Sequence, residues 1–132
     1  MIVLDASAAV ELLLGTKLGR SVATYLADPA LDVHAPHLLD VEVAQVLRRY
    51  VRIGELKAAE AATALEDLRA LDLERHAHEP LLARIWALRD NLSAYDATYL
   101  ALAEALQARL LTCDGRLARS SGLARRAILV KA

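Results

Sequence analysis

The sequence predicts an α/β fold, a three-layer α/β/α arrangement around a central, mainly parallel sheet. Three observations lead there. Short apolar runs alternate along the chain with segments of helical periodicity, the pattern of parallel strands joined by crossover helices. The 132 residues suffice for about one domain, which buries roughly two-thirds of its unfolded surface, so residues 1–132 are expected to share one core. Hydrophobic residues make up 56% of the chain, yet phenylalanine is absent and aromatics reach only 4%. Alanine, leucine and valine must therefore build that core, which suits helices packed on a sheet.

Ile2–Leu4 is a short apolar strand ending in Asp5, and Ala6–Leu14 reads as a helix stopped by Gly15. Gly19–Ala27 is expected as a second helix, ended by Asp28 and Pro29, and Asp32–Ala35 as a second strand. Pro36 should open a long helix through Arg52, because proline is favoured at a first helical position, and Gly54 closes it. Lys57–Leu71 repeats alanine and leucine at helical spacing, and Leu73–His76 reads as a strand. Pro80–Leu92 is the next helix, with Leu82, Ile85, Trp86 and Leu88 as its core face. Ser93 begins a helix over 94–107, followed by a strand at Leu110–Thr112. Asp114 and Gly115 then turn the chain into a brief Arg-rich helical stretch, and Ile128–Val130 is the last strand. No internal repeat, linker or low-complexity segment interrupts the pattern.

The single Cys113 rules out an internal disulfide, so nothing demands an oxidising compartment. The apolar N-terminus lacks a basic leader and carries Asp5 and Glu11, and no later run approaches the roughly 20 apolar residues of a membrane span. A cytoplasmic protein without membrane contact is expected. A net charge of −1 argues against binding nucleic acid by bulk positive charge. Its distribution is uneven, since residues 109–132 carry six basic side chains against Asp114 alone. Arginine supplies thirteen of the sixteen positive charges, and its planar fork grips phosphate oxygens in pairs, although a solvated helix face would show the same residues.

Four carboxylates sit where a chain should not waste a charge. Asp5 and Asp114 follow apolar strands, and open parallel sheets place ligands outside the carboxyl ends of their strands. Each also has a plain structural role open to it, a helix cap for Asp5 and a turn for Asp114. Glu42 falls inside the apolar arc formed by Leu38, Leu39, Val43, Val46, Leu47, Tyr50 and Ile53, whereas Asp40 falls on the polar side of the same helix. A glutamate in such an arc needs a partner or a cation, because desolvating its ionised form is expensive. Arg49 lies seven residues further along that stripe, roughly 10 Å away, placed to pair with a phosphate or to snorkel. Asp96 lies between Tyr99 and Leu100 on its helix wheel, but the Ser93–Asp96 spacing is also that of a capping box. Two carboxylates 4 Å apart repel by about 4 kcal/mol at an effective dielectric near 20. Some of these acids should therefore be hard to ionise without a cation.

Other features carry less chemistry. His76 and His78 alternate as strand neighbours on one face do, but without thiols or a third ligand they make no zinc site and read as exposed. Cys113 reads as a small buried hydrophobe, since no activating histidine lies near it in sequence. Gly15, Gly19 and Gly54 are isolated stops, and no glycine-rich phosphate loop is present.

In chain order, the acids follow the first strand, sit in an early helix, sit at a late helix start and follow the next strand. Together with residues 2–8 (IVLDASA), 39–43 (LDVEV), 93–103 (SAYDATYLALA) and 111–117 (LTCDGRL), this order resembles the PIN-domain family, specifically the toxins of VapBC-type toxin–antitoxin pairs. The resemblance spans almost the whole chain and departs at Gly115, where the family carries a bulkier or charged residue. It implies a Mg²⁺-dependent endoribonuclease, with Mn²⁺ able to substitute, that hydrolyses RNA phosphodiester bonds, is silenced by a small cognate antitoxin and forms a homodimer. On this reading Asp5, Glu42, Asp96 and Asp114 are catalytic and Asp5 and Asp96 hold the metal. Glu42 and Asp114 would then orient the attacking water and help remove its proton, with the Ser7 and Thr112 hydroxyls in support. Two other classes fit an acidic α/β chain: a non-catalytic protein-interaction module, and a phosphoacceptor signalling domain that recruits Lys131. The second lacks an adjacent acidic pair after the first strand.

Overall fold

A computed structural model describes residues 1–120, 122, 123 and 125–131. Five strands, β1 (Ile2–Leu4), β2 (Val33–Pro36), β3 (Glu74–His76), β4 (Arg109–Thr112) and β5 (Ala127–Leu129), form one sheet in the order β3-β2-β1-β4-β5. Every pairing is parallel. The helices are α1 (Ala6–Leu14), α2 (Lys17–Tyr25), α3 (Leu38–Arg52), α4 (Ala58–Ala70), α5 (Leu82–Ala87), α6 (Ala94–Leu106) and the single turn α7 (Gly115–Ala118).

Alternation along each strand splits the core in two. Ile2, Leu4, Ala35 and Leu111 pack with residues of α1, α3 and α4 on one face. Val3 and Leu110 pack with α5, α6 and Leu117 on the other. Parallel crossovers are right-handed, so helices must change face when the direction of strand addition reverses. That reversal happens after β3, where the chain returns across the sheet to place β4 on the far side of β1. Ligands of such sheets bind at this switch point, here the carboxyl ends of β1 and β4. The Asp5 amide donates to the Leu111 carbonyl at 3.2 Å, holding the two strand ends together.

Several boundaries differ from the sequence reading for local reasons. Thr16, whose hydroxyl accepts from the Gly19 amide, caps α2, which starts at Lys17, two residues before the expected Gly19. Gly19 is then interior, and a Cβ there would lie 1.9 Å from the Glu11 carbonyl oxygen of the neighbouring helix. Pro36 ends β2 instead of opening α3, which starts at Leu38. The Pro80–Leu92 helix is broken into a 3₁₀ turn, Glu79–Leu81, and the short α5. The buried stripe runs through Leu81, Ile85 and Leu92, so Leu82 and Trp86 fall beside it and are exposed instead of in the core, with the Arg89 guanidinium 4.7 Å over the Trp86 ring. Ile53, past the end of α3, is also exposed. Asp40 is not idle, since both its oxygens accept from Arg75 at 2.8 and 3.0 Å and tie α3 to β3. Among the described residues no helix is long and apolar enough to cross a membrane.

Candidate active site

Asp5 occupies the first position beyond β1, where its carboxylate caps α1 by accepting from the Ala8 amide at 3.0 Å. The cap and the candidate ligand are thus one side chain. Ser7 donates to its Oδ1 at 2.8 Å and Thr112, on β4, to its Oδ2 at 2.7 Å. Thr112 Oγ1 in turn accepts from the Asp114 amide, and Ser7 Oγ accepts from the Cys113 amide, both at 2.9 Å. Two hydroxyls therefore lock the ends of β1 and β4 around one carboxylate. Asp5 is only 3% exposed, and burial outweighs these three donors, raising its pKa from 3.8 to about 6. Repulsion from Asp114 adds to the rise.

Glu42 is half-buried on α3, as its place in the apolar arc requires. Its partner is Tyr99 on α6, whose hydroxyl donates to Glu42 Oε1 at 2.6 Å. This bond joins helices from opposite faces of the sheet above its carboxyl edge. Burial raises the Glu42 pKa, the Tyr99 bond lowers it, and Asp96 raises it further. Tyr99 itself is pushed up by burial and by Glu42, so it stays a hydrogen donor. Tyr99 was not singled out in the sequence, because an aromatic in an apolar stripe reads as core, and it is indeed 2% exposed.

Asp96 lies in the first turn of α6, where its amide donates to the Ser93 hydroxyl at 3.1 Å. Asp114 caps α7, accepting from the amides of Arg116 and Leu117 at 3.0 and 3.2 Å. Arg116 then bends back over both, with Nη2 3.1 Å from Asp96 Oδ2 and 3.4 Å from Asp114 Oδ2. The sequence placed this arginine only in a basic tail. Gly115 relieves the departure noted there, for a Cβ would approach only the movable end of Arg119, at 2.8 Å. Cys113 is raised to about 11 by burial, in keeping with an inert thiol.

The fold thus draws all four carboxylates to one edge. Asp5 contacts Thr112 beside Asp114, Arg116 spans Asp114 and Asp96, and Asp96 raises Glu42 electrostatically. No three of them close to within 4.8 Å of one another among the described residues; the set that does is His34, Glu74 and His76, elsewhere on the sheet. The all-carboxylate donor set suits a hard divalent cation, and Arg116 already holds positive charge between two of its members. The edge is open, with the Arg116 side chain 67% exposed, while crevices of about 320 and 400 Å³ lie away from it. An open acidic ledge suits a polymer phosphodiester better than an enclosed metabolite.

Comparison with known proteins agrees with this fold. The family model described as "PIN domain" matches residues 2–123. The chain is 46% identical over 117 residues to "Ribonuclease VapC9" of Mycobacterium tuberculosis, covering 89% of this chain and 88% of that protein. In structure it is similar to VapC20 of Mycobacterium tuberculosis, described as a sarcin-ricin loop cleaving toxin, with a TM-score of 0.68 at 17% identity, covering 89% of this chain and 93% of that one. It is also similar to a chain of a toxin–antitoxin complex from Klebsiella pneumoniae, with a TM-score of 0.60 at 16% identity over 97% and 96% of the two chains.

Proposed function

The chain belongs to the PIN-domain family, and from that premise we propose that it is a Mg²⁺-dependent endoribonuclease, the toxin of a VapBC-type toxin–antitoxin pair. The observation that carries the reading is the gathering of Asp5, Glu42, Asp96 and Asp114 at the switch point of the sheet, where Arg116 already bridges two of them. Residues 1–132 act as one domain in this proposal, working in the cytoplasm on RNA.

Asp5 and Asp96 are the proposed ligands, and Mn²⁺ can replace Mg²⁺ there. When bound, the divalent cation supplies polarisation of the scissile phosphate and neutralises charge on its oxygens. Glu42 Oε1 is occupied by Tyr99, which leaves Oε2 to accept a proton from the attacking water. Burial raises its pKa above the ordinary glutamate value, which makes it a stronger base than a solvated carboxylate. Asp114 orients that water, and Ser7 and Thr112 keep Asp5 from turning away. Arg116, released from the acids, is placed to hold a phosphate of the RNA.

The proposed partners are a small antitoxin and a second copy of the chain. A partner arginine can silence the site by pairing with its acids in the geometry that Arg116 shows with Asp96 and Asp114, occupying the place of a cation. The test compares wild type, Asp5→Asn and Asp96→Asn on a pool of cellular RNAs with and without Mg²⁺. Metal-dependent cutting by the wild type alone is expected, and equal cutting by all three proteins refutes the assignment.

A further inference from the structure

The edge of the sheet away from the carboxylates holds a second set of donors. His34 on β2 is paired in register with Glu74 on β3, and Pro36 with His76. Side chains two apart share a face, so His34, Glu74 and His76 project together. His34 Nδ1 lies 2.9 Å from His76 Nε2 and 3.4 Å from Glu74 Oε2, and one donor atom from each residue falls within 4.8 Å of the others. A tetrahedral ion with bonds of about 2.0–2.1 Å needs ligand atoms about 3.3 Å apart. Of the three edges, His34–Glu74 already matches, His34–His76 has only to open by a few tenths of an ångström, and Glu74–His76 lies within 4.8 Å.

His34 is 5% exposed, and its Nε2 has no hydrogen-bond partner. Its Nδ1 faces both other donors, and in the tautomer that carries the proton on Nε2 the Nδ1 lone pair is turned to the cluster. An open crevice of about 150 Å³, lined by Asp32, His34, Asp72 and Glu74, gives access and adds negative charge. We propose that His34, Glu74 and His76 form a site for a borderline divalent ion of the zinc class, with water completing the coordination. Imidazole donors prefer such ions, whereas the all-carboxylate site prefers Mg²⁺. The ion would staple the three-residue edge strand β3 to β2. It would also replace the hydrogen bond between the two imidazoles.

The test uses the untagged full chain, stripped with chelator and titrated calorimetrically with Zn²⁺ in excess Mg²⁺. Wild type and Asp5→Asn should each bind one Zn²⁺ and melt at higher temperature in its presence. His76→Gln should weaken binding by about a hundredfold, and Glu74→Gln, at an exposed position that leaves the fold intact, by about tenfold. Co²⁺ in place of Zn²⁺ should give a visible tetrahedral spectrum in wild type that His76→Gln lacks. Absence of Zn²⁺ binding to wild type, equal binding by both histidine-site variants, or loss of binding in Asp5→Asn overturns the proposal. None of these readings depends on RNA cleavage, so they stand or fall apart from the nuclease assignment.

Discussion

Asp5→Asn should make the metal-free protein more stable at neutral pH while abolishing its proposed activity. Asparagine matches the protonated acid in shape and charge, so the variant reports what ionising Asp5 costs. Its carboxyl is raised from 3.8 to about 6, and a tenfold change in proton affinity is worth about 1.4 kcal/mol. The folded wild type therefore holds this proton more tightly than the unfolded chain, and its stability falls as pH rises through that window. Below 3.8 the two proteins should unfold alike; above about 6 the variant should lead by up to about 3 kcal/mol. Such a margin is a sizeable share of a domain's roughly 5–15 kcal/mol. Urea unfolding in chelator at pH 4 and pH 7.5 measures both differences. A variant no more stable than wild type at pH 7.5, or a difference independent of pH, would show that the three donors around Asp5 outweigh its desolvation.

Saturating Mn²⁺ should raise the Tm of wild type, by the roughly ten degrees that about 2.7 kcal/mol provides at a hundred times Kd, and should leave Asp5→Asn/Asp96→Asn unmoved; a wild-type melt indifferent to Mn²⁺ speaks against the carboxylate site. Tyr99→Phe removes the hydroxyl that lowers the Glu42 pKa, so the acid limb of the cleavage profile should move to higher pH; an unmoved limb would remove Glu42 from the role of base. Gly19→Ala should destabilise by about 1–3 kcal/mol, since its methyl must push α1 and α2 apart, and a scanning melt would register several degrees.

What the sequence revealed of this site follows from where each side chain's surroundings are local. Asp5 and Asp114 were legible because a strand end fixes what a parallel sheet does with the next residue. Glu42 was legible as a charge in an apolar arc, but its partner was not, since Tyr99 is 57 residues away and approaches from the other face. Arg116 was hidden for the opposite reason: its role depends on a one-turn helix folding its side chain back over Asp96, twenty residues earlier. Trp86 was misplaced because its size suggested core, although it lies well round the helix from the stripe of Leu81, Ile85 and Leu92 that the structure buries. The histidines show the same limit. His76 and His78 are partly buried and engaged, the latter accepting from the Leu38 amide at 2.9 Å, and the imidazole that does approach His76 is His34, across a strand pairing that no local pattern encodes.

The split origin of the carboxylates carries a consequence for the cell that makes this chain. Asp5 and Glu42 arrive with the helices of one face, Asp96 and Asp114 with those of the other. If the four acids cut as proposed, a nascent or half-assembled molecule displays at most half of the cutting apparatus, and the hazard to cellular RNA is born only when the last layer docks.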